Sequence, residues 1–360
     1  AGGGSIAWVD AMGRIQTGPE SAASEPGPAC YQRGGERPAI TDADLLLGKI
    51  DPENFAGGAI RLSNAQAESA ITRDVGSKLN LAPLPAAFGI CEVVDENMAN
   101  AARVHAVENG KNISDNIMVA FGGAAPLHAA RLCEKLGIHQ CLIPPGAGVG
   151  SAIGFLKAPF GYEALVSKIT RLSAFDPAEV NAALAGLKAT AKGFVRAGTD
   201  GAIQSQITAF MRYVGQGWEI PVPLPDRDFG PGDAEALERD FQAAYARFFG
   251  RAIDGLQDLE IEIVTFSVKA QDIRPAPERH TLGFGRVHVA GRGSRPVFDP
   301  ARGSALPTAI INRETLKPGD RVQGPAVVVE RETSTVVTSP FDVVMQDDGS
   351  LLLIRKEMVE

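Results

Sequence analysis

The stretch from Ile117 to Ile143 limits the fold of this chain more than any other. Ile117 to Phe121 is a short apolar run that reads as a buried strand. Gly122 and Gly123 break it. Pro126 suits the first turn of a helix, because the N–H it lacks would have had no partner there. That helix runs through Leu136 and stops at Gly137, and Cys141 to Ile143 reads as the next strand. The result is a βαβ unit with a diglycine turn at its first joint. Such a turn lets a ligand lie against backbone without Cβ interference, and the helix N-terminus aims N–H groups at it.

The rest of the composition narrows the class. At 360 residues the chain exceeds one ordinary core, so two or three domains are expected. Hydrophobic content of 44% and charged content of 22% are those of a globular protein. A formal net charge of −8 without a Lys/Arg block argues against nucleic acid as a partner. No apolar run reaches the ~18 residues of a membrane helix, and the first residues do not resemble a signal peptide. The four cysteines, Cys30, Cys91, Cys133 and Cys141, form no CxxC pair. They read as reduced, mostly buried thiols of a cytoplasmic protein.

Residues 6–17 predict a hairpin, and 18–38 an irregular loop rich in Pro and Gly. Helices are expected at 41–48, 63–80 and about 90–109. In the last, Ile90, Val94, Met98, Ala101 and His105 share one face, so His105 reads as a satisfied core residue. Beyond residue 160 the pattern changes to an alanine-rich helix at 176–198, paired strands at 203–213 and 218–222, and an amphipathic helix at 233–249. From Glu260 onward short strands alternate with Gly/Pro turns. The expected division is therefore 1–160, a partial α/β domain; 161–258, an α+β segment; and 259–360, a β-rich C-terminal module. Residues 1–160 hold only one clear βαβ unit. The strands that complete their sheet are expected in a segment preceding Ala1 or in a separate chain.

Several ordered motifs are recognisable together: Ala1-Gly-Gly-Gly-Ser-Ile-Ala-Trp-Val-Asp10, Gly18-Pro-Glu-Ser-Ala22, Pro26-Gly-Pro-Ala-Cys-Tyr31, Arg33-Gly-Gly35, Thr41-Asp-Ala-Asp-Leu45, Ala120-Phe-Gly-Gly-Ala-Ala-Pro-Leu-His128, Pro144-Pro-Gly-Ala-Gly-Val-Gly-Ser-Ala152, Met211-Arg-Tyr-Val-Gly-Gln216 and Gly319-Asp-Arg-Val-Gln-Gly-Pro-Ala326. Through them the chain resembles the hydantoinase A/oxoprolinase family of ATP-dependent enzymes. The resemblance implies an actin/sugar-kinase-like ATPase fold for 1–160. It also implies that the chain is the C-terminal portion of a subunit whose Asp-x-Gly-Gly-Thr phosphate turns lie upstream. ATP and Mg²⁺ are the implied cofactors. The implied partners are an N-terminal hydantoinase A segment and a hydantoinase B-type subunit, and the implied substrate is a small cyclic amide.

Each candidate site residue carries two readings. Gly2, Gly3, Gly4 and Ser5 suit a phosphate nest or a plain tight turn. With the resemblance, Gly122, Gly123, Ala124 and Ala125 become the adenosine-side turn. His128, just inside the following helix, suits proton transfer or a phosphate contact, and equally capping or packing. Asp42 reads as a helix cap or as a residue near Mg²⁺ or the transferred phosphate. Arg33 is a phosphate or carboxylate binder in the Gly/Pro loop. No metal site is readable from the histidines. The expected activity is phosphorylation of an amide carbonyl, which activates a cyclic amide for hydrolysis. A ketone carboxylase subunit and a non-catalytic scaffold are the alternatives, and Tyr213-Val-Gly-Gln-Gly-Trp-Glu219 resembles hydantoinase-type members more than the carboxylases or 5-oxoprolinase itself.

Overall fold

The computed structural model of this chain describes residues 2–250, 259–276, 278–285, 287–291 and 293–358. Ala1, which opens the glycine motif, and the boundary expected after residue 258 lie outside them. The chain opens with an antiparallel hairpin, β1 (Ser5–Val9) and β2 (Ile15–Ser21). Its turn is closed by Asp10, which accepts from the backbone N–H groups of Met12 and Arg14. Helices α1 (Ile40–Leu46), α2 (Asn64–Ile71), α3 (Ser77–Leu79) and α4 (Pro83–Glu108) follow. A π-helical turn, Thr72–Gly76, joins α2 to α3.

The βαβ unit is β3 (Met118–Val119), α5 (Ala125–Leu136) and β4 (Gln140–Ile143), with its strands paired in parallel. Pro126 stands in the first turn of α5, and Gly137 ends the helix at φ +67°, a conformation costly for any residue with a Cβ. Then come α6 (Gly150–Lys157), β5 (Gly161–Arg171), α7 (Pro177–Gly198), β6 (Ile203–Tyr213), β7 (Ile220–Leu224), α8 (Asp233–Phe249) and β8 (Ile261–Asp272). The chain continues with β9 (Val287–His288), β10 (Gly293–Asp299), β11 (Ser304–Asn312) and β12 (Asp320–Gln323). It closes with β13 (Ala326–Val329), β14 (Ser334–Val337), β15 (Phe341–Met345) and β16 (Leu351–Arg355).

The chain forms two compact units, one of Ala1–Leu156 with Arg279–Glu360 and one of Lys157–Glu278. The expected three-part division is corrected on this point: the C-terminal strands are not a separate module. The reason is visible in β16. Its residues Leu351 to Ile354 are buried on both faces, as in an interior strand of a sheet covered on both sides. It pairs with β15 on one side and antiparallel with β4 on the other, Leu352 opposite Leu142. The six-stranded sheet therefore runs β3-β4-β16-β15-β12-β9. Four strands from the far end of the same chain, β16, β15, β12 and β9, thus extend the sheet that β3 and β4 begin.

A second sheet, β10-β11-β13-β14, belongs to the same unit. Ala129, Ala130, Cys133 and Leu136 of α5 share one core with Ile143, Leu351 and Leu353 of the first sheet and Ala326, Val328 and Val337 of the second. Helix α5 is thereby fixed on two sides, which holds its N-terminal turn in place. Helix α4 buries Ala86, Ala87, Ile90, Cys91, Val94, Asp95 and Ala99. The apolar face stops there. His105 is exposed, with Asn109 Nδ2 donating to its carbonyl oxygen, and is not the core residue expected.

The other unit has its own four-stranded antiparallel sheet, β5-β8-β6-β7. Its core joins Phe266 and Met211 of the sheet to Leu184 of α7 and Phe241 of α8. Asp176 caps α7 by accepting from the N–H groups of Ala178 and Glu179.

Candidate functional site

A cleft of about 710 Å³ opens beside the diglycine turn. Gly123 and Leu127 form one wall, and Gly148 and Val149 of the Pro144–Ala152 motif form the next. The turn between β13 and β14, Glu330 to Ser334, and the loop from Ile50 to Gly57 close the other sides. Backbone contacts shape the walls. Thr333 Oγ1 donates to the Gly123 carbonyl at 2.8 Å, and the Gly122 N–H donates to the Ala147 carbonyl at 2.7 Å. Gly122 takes φ +114°, which favours glycine. A Cβ on Gly148 would meet the Glu332 Cβ at 2.5 Å and its carbonyl oxygen at 2.8 Å. The volume lies in the range of small-molecule sites.

Acidic groups dominate the lining: Asp51, Glu314, Glu330 and Glu332, against Arg331. Arg313 pairs with Glu330 at 2.6 Å and also donates to the carbonyls of Ile143 and Gly349. Burial nevertheless pushes the Glu330 carboxyl up. Carboxylates and bare backbone suit hydroxyls and ring N–H groups, and they repel phosphate.

The expected catalytic side chains are elsewhere. Asp42 is fully buried, and its carboxylate accepts from the N–H groups of Ala29 at 3.2 Å, Cys30 at 2.7 Å and Ala39 at 2.7 Å. It closes the start of α1 and pins the loop of residues 26–31 onto that helix. A place beside Mg²⁺ or a phosphate does not fit these surroundings, and any further chain packed on this one can only bury Asp42 more. Burial also pushes the Cys30 thiol up, away from the thiolate a reactive cysteine needs. All four cysteines are buried and unpaired.

His128 is 4% exposed and lies between two carboxylates. Its Nδ1 is 2.7 Å from Asp95 Oδ1, and its Nε2 is 3.2 Å from Asp44 Oδ2. Lys49 Nζ donates to Asp44 Oδ1 at 2.8 Å, and Cys91 Sγ lies 3.3 Å from the same oxygen. Burial works to lower the His128 pKa, but the charge and hydrogen bond of Asp44 and the hydrogen bond of Asp95 together outweigh it and the value rises to about 9. Burial would raise Asp44, yet His128 and Lys49 hold its carboxyl well below the usual range. With both ring nitrogens engaged by buried carboxylates and the ring 4% exposed, the imidazole is not open to proton transfer with a ligand in the cleft.

Among the cofactor-binding candidates, Gly123 lines the cleft and Gly122 shapes its turn. Ala124 is the residue before α5, and Ala125, first in the helix, packs into the core. Gly2 to Ser5 form a tight turn, with the Gly2 N–H donating to Ser5 Oγ and the Ser5 N–H to the Gly2 carbonyl. Among the described residues the N–H groups of Gly3 and Gly4 have no partner, as a nest for an anion requires. The Gly3 carbonyl accepts from both the N–H and the hydroxyl of Thr41, at 2.9 and 3.0 Å. Arg33 is exposed and outside the cleft lining.

Sequence reasoning missed Lys49, Cys91 and Asp95, and the entire β13–β14 wall. Asp95 did carry a signal: a carboxylate next to Val94 on the apolar face of α4 demands a buried partner. Nothing local marks Glu330–Ser334 as a neighbour of Gly123.

Two family models match the chain, hydantoinase/oxoprolinase over residues 1–164 and the hydantoinase/oxoprolinase C-terminal domain over residues 176–357. The chain belongs to the hydantoinase/oxoprolinase family. The caprolactamase subunit alpha of Pseudomonas jessenii is 31% identical over 94% of this chain and 49% of its own length. The crystal structure of the ATP-dependent caprolactamase from that organism superposes with a TM-score of 0.75 at 29% identity, over 99% of this chain and 52% of the other. A nucleotide-free acetone carboxylase structure gives a TM-score of 0.82 at 25% identity, again over 99% and 52%. A 5-oxoprolinase of Pestalotiopsis fici is 28% identical over 98% of this chain and 28% of its own. The chain spans about half the length of the first relatives it matches. Among the described residues no helix is long and apolar enough to cross a membrane.

Proposed function

We propose that this chain is the C-terminal, nucleotide-handling portion of an ATP-dependent enzyme that opens a cyclic amide. The cleft between Gly123, Gly148 and the Glu330–Ser334 turn takes the adenosine half of ATP. The observation that carries this reading is the cleft itself: bare backbone walls and an acidic lining suit a purine and ribose hydroxyls, and leave the triphosphate to point elsewhere. The open N–H groups of Gly3 and Gly4 are the phosphate-side candidates on this chain, joined by turns on the remaining part of the family's length. The actin/sugar-kinase-like fold and a hydantoinase B-type partner belong to the same proposal.

In the reaction, the amide carbonyl oxygen attacks the γ-phosphorus and ADP leaves. Water then adds to the activated carbon, the ring C–N bond breaks, and inorganic phosphate departs as the carboxylate forms. Amide, ATP and water give amino acid, ADP and phosphate. Mg²⁺ entering with the nucleotide would supply charge neutralisation at the phosphates. This chain's own part is to hold the nucleoside end still, which converts encounter into positioned attack.

The names of the caprolactamase and 5-oxoprolinase relatives support cyclic amide opening. The superposition on acetone carboxylase supports a second reading, in which a ketone is the phosphoryl acceptor and bicarbonate the carbon source. Steady-state ATP turnover by the complete assembly separates them. The first reading expects turnover with hydantoins or lactams that bicarbonate leaves unchanged. Bicarbonate-dependent turnover on a ketone would overturn it, and an assembly that binds no ATP would leave a scaffold.

A further inference from the structure

Helix α1 carries three polar residues in four positions, and each grips a different part of the fold. Thr41 holds the Gly3 carbonyl. Asp42 holds the loop at Ala29 and Cys30. Asp44 reaches His128 in α5, whose first turn continues from Gly122 and Gly123. Among the described residues the Asp44–His128 contact is the hydrogen bond that joins α1 to α5. Both its partners are buried, and Lys49, Cys91 and Asp95 surround it. An apolar cluster could fill this space at less desolvation cost. Directional polar contacts fix a register that apolar packing leaves loose.

We infer that Thr41, Asp44 and His128 form a buried strut that sets the distance between the tri-glycine turn and the diglycine turn. His128 is accordingly a positioning residue that never touches the nucleotide. The inference rests on the reading in which the diglycine turn meets adenosine and the tri-glycine turn meets phosphate. If the strut sets their spacing, its loss spares each turn and spoils only the joint engagement of both.

The experiment compares adenosine and ATP binding by calorimetry, using the complete assembly and its His128→Gln variant. Glutamine keeps a donor and loses the second contact. The expected result is adenosine affinity within twofold of the unaltered protein, with the advantage of ATP over adenosine reduced at least tenfold. A structural role alone would weaken both ligands together or neither, and either outcome overturns the strut. Thr41→Val, at the other end, removes one hydroxyl bond and keeps the backbone bond. It is expected to lower the same ratio at least threefold, and an unchanged ratio there overturns the inference even where His128→Gln fails to fold. If the unaltered assembly binds no ATP, the underlying nucleotide reading fails instead, and the two failures are told apart.

Discussion

At the residue scale, the two carboxylates of α1 do different work from two positions apart. Asp42 satisfies three backbone donors, and an asparagine there would turn an N–H₂ toward one or more of them. Leaving buried donors unmet costs about 1–3 kcal/mol each, so Asp42→Asn is expected to destabilise by about 2–3 kcal/mol. Thermal unfolding would check it: a drop in Tm of roughly 4–10 °C is expected, and an unchanged Tm would contradict the clamp role. Asp44 instead balances Lys49 and His128. Removing one member of such a buried set leaves an uncompensated charge, and Lys49→Met is expected to cost about 3–5 kcal/mol by denaturant unfolding. His128 adds a pH dependence. Its pKa rises from 6.5 to about 9 on folding, so its contribution is complete below about pH 6.5 and is lost as pH climbs through 9. Stability measured from pH 6 to 10 should fall over that window, and His128→Gln should flatten the slope. A wild-type slope retained in the variant would place the titration elsewhere.

At the element scale, close backbone approach shapes the cleft. Gly148 lies against Glu332, and a Cβ would collide with the carbonyl and Cβ of that residue. Gly148→Ala is expected to push the β13–β14 turn outward and weaken ATP binding by the complete assembly at least tenfold. Equal affinities would mean that the turn does not wall the nucleotide site. Legibility also divides at this scale. The βαβ unit was readable because Pro126 and Gly137 punctuate one helix and apolar runs flank it. β5 was not, because Leu165 and Ile169 put apolar side chains on its solvent face and blur the alternation. The pairing of β16 with β4 spans some 200 residues, and no local pattern encodes so distant a neighbour. His128 was visible as a candidate, but its role was set by Asp44 and Asp95, which arrive from two other helices.

At the scale of the whole molecule, one unit is inserted in the sequence of the other. Its first and last strands lie side by side, Gly161 opposite Gln271, so the chain enters and leaves at neighbouring points. Such units tolerate excision because their ends need not be moved. Residues 157–278 expressed alone are expected to unfold in one cooperative transition, as their own core of Phe266, Met211 and Phe241 requires. A non-cooperative melt would show that this core depends on the rest of the chain. The remaining unit owes its integrity to both ends of the sequence, because β16 and β4 are neighbours in one sheet. Within that unit Thr333 bonds the Gly123 carbonyl and Glu332 lies against Gly148, and these contacts wall the cleft.

The most direct measurement is an experimental structure of the complete assembly with a non-hydrolysable ATP analogue. The expected result is adenosine seated between Gly123, Gly148 and the Glu330–Ser334 turn, with its phosphates leading away from the acidic lining. Adenosine bound at another place while that cleft stays open would contradict it.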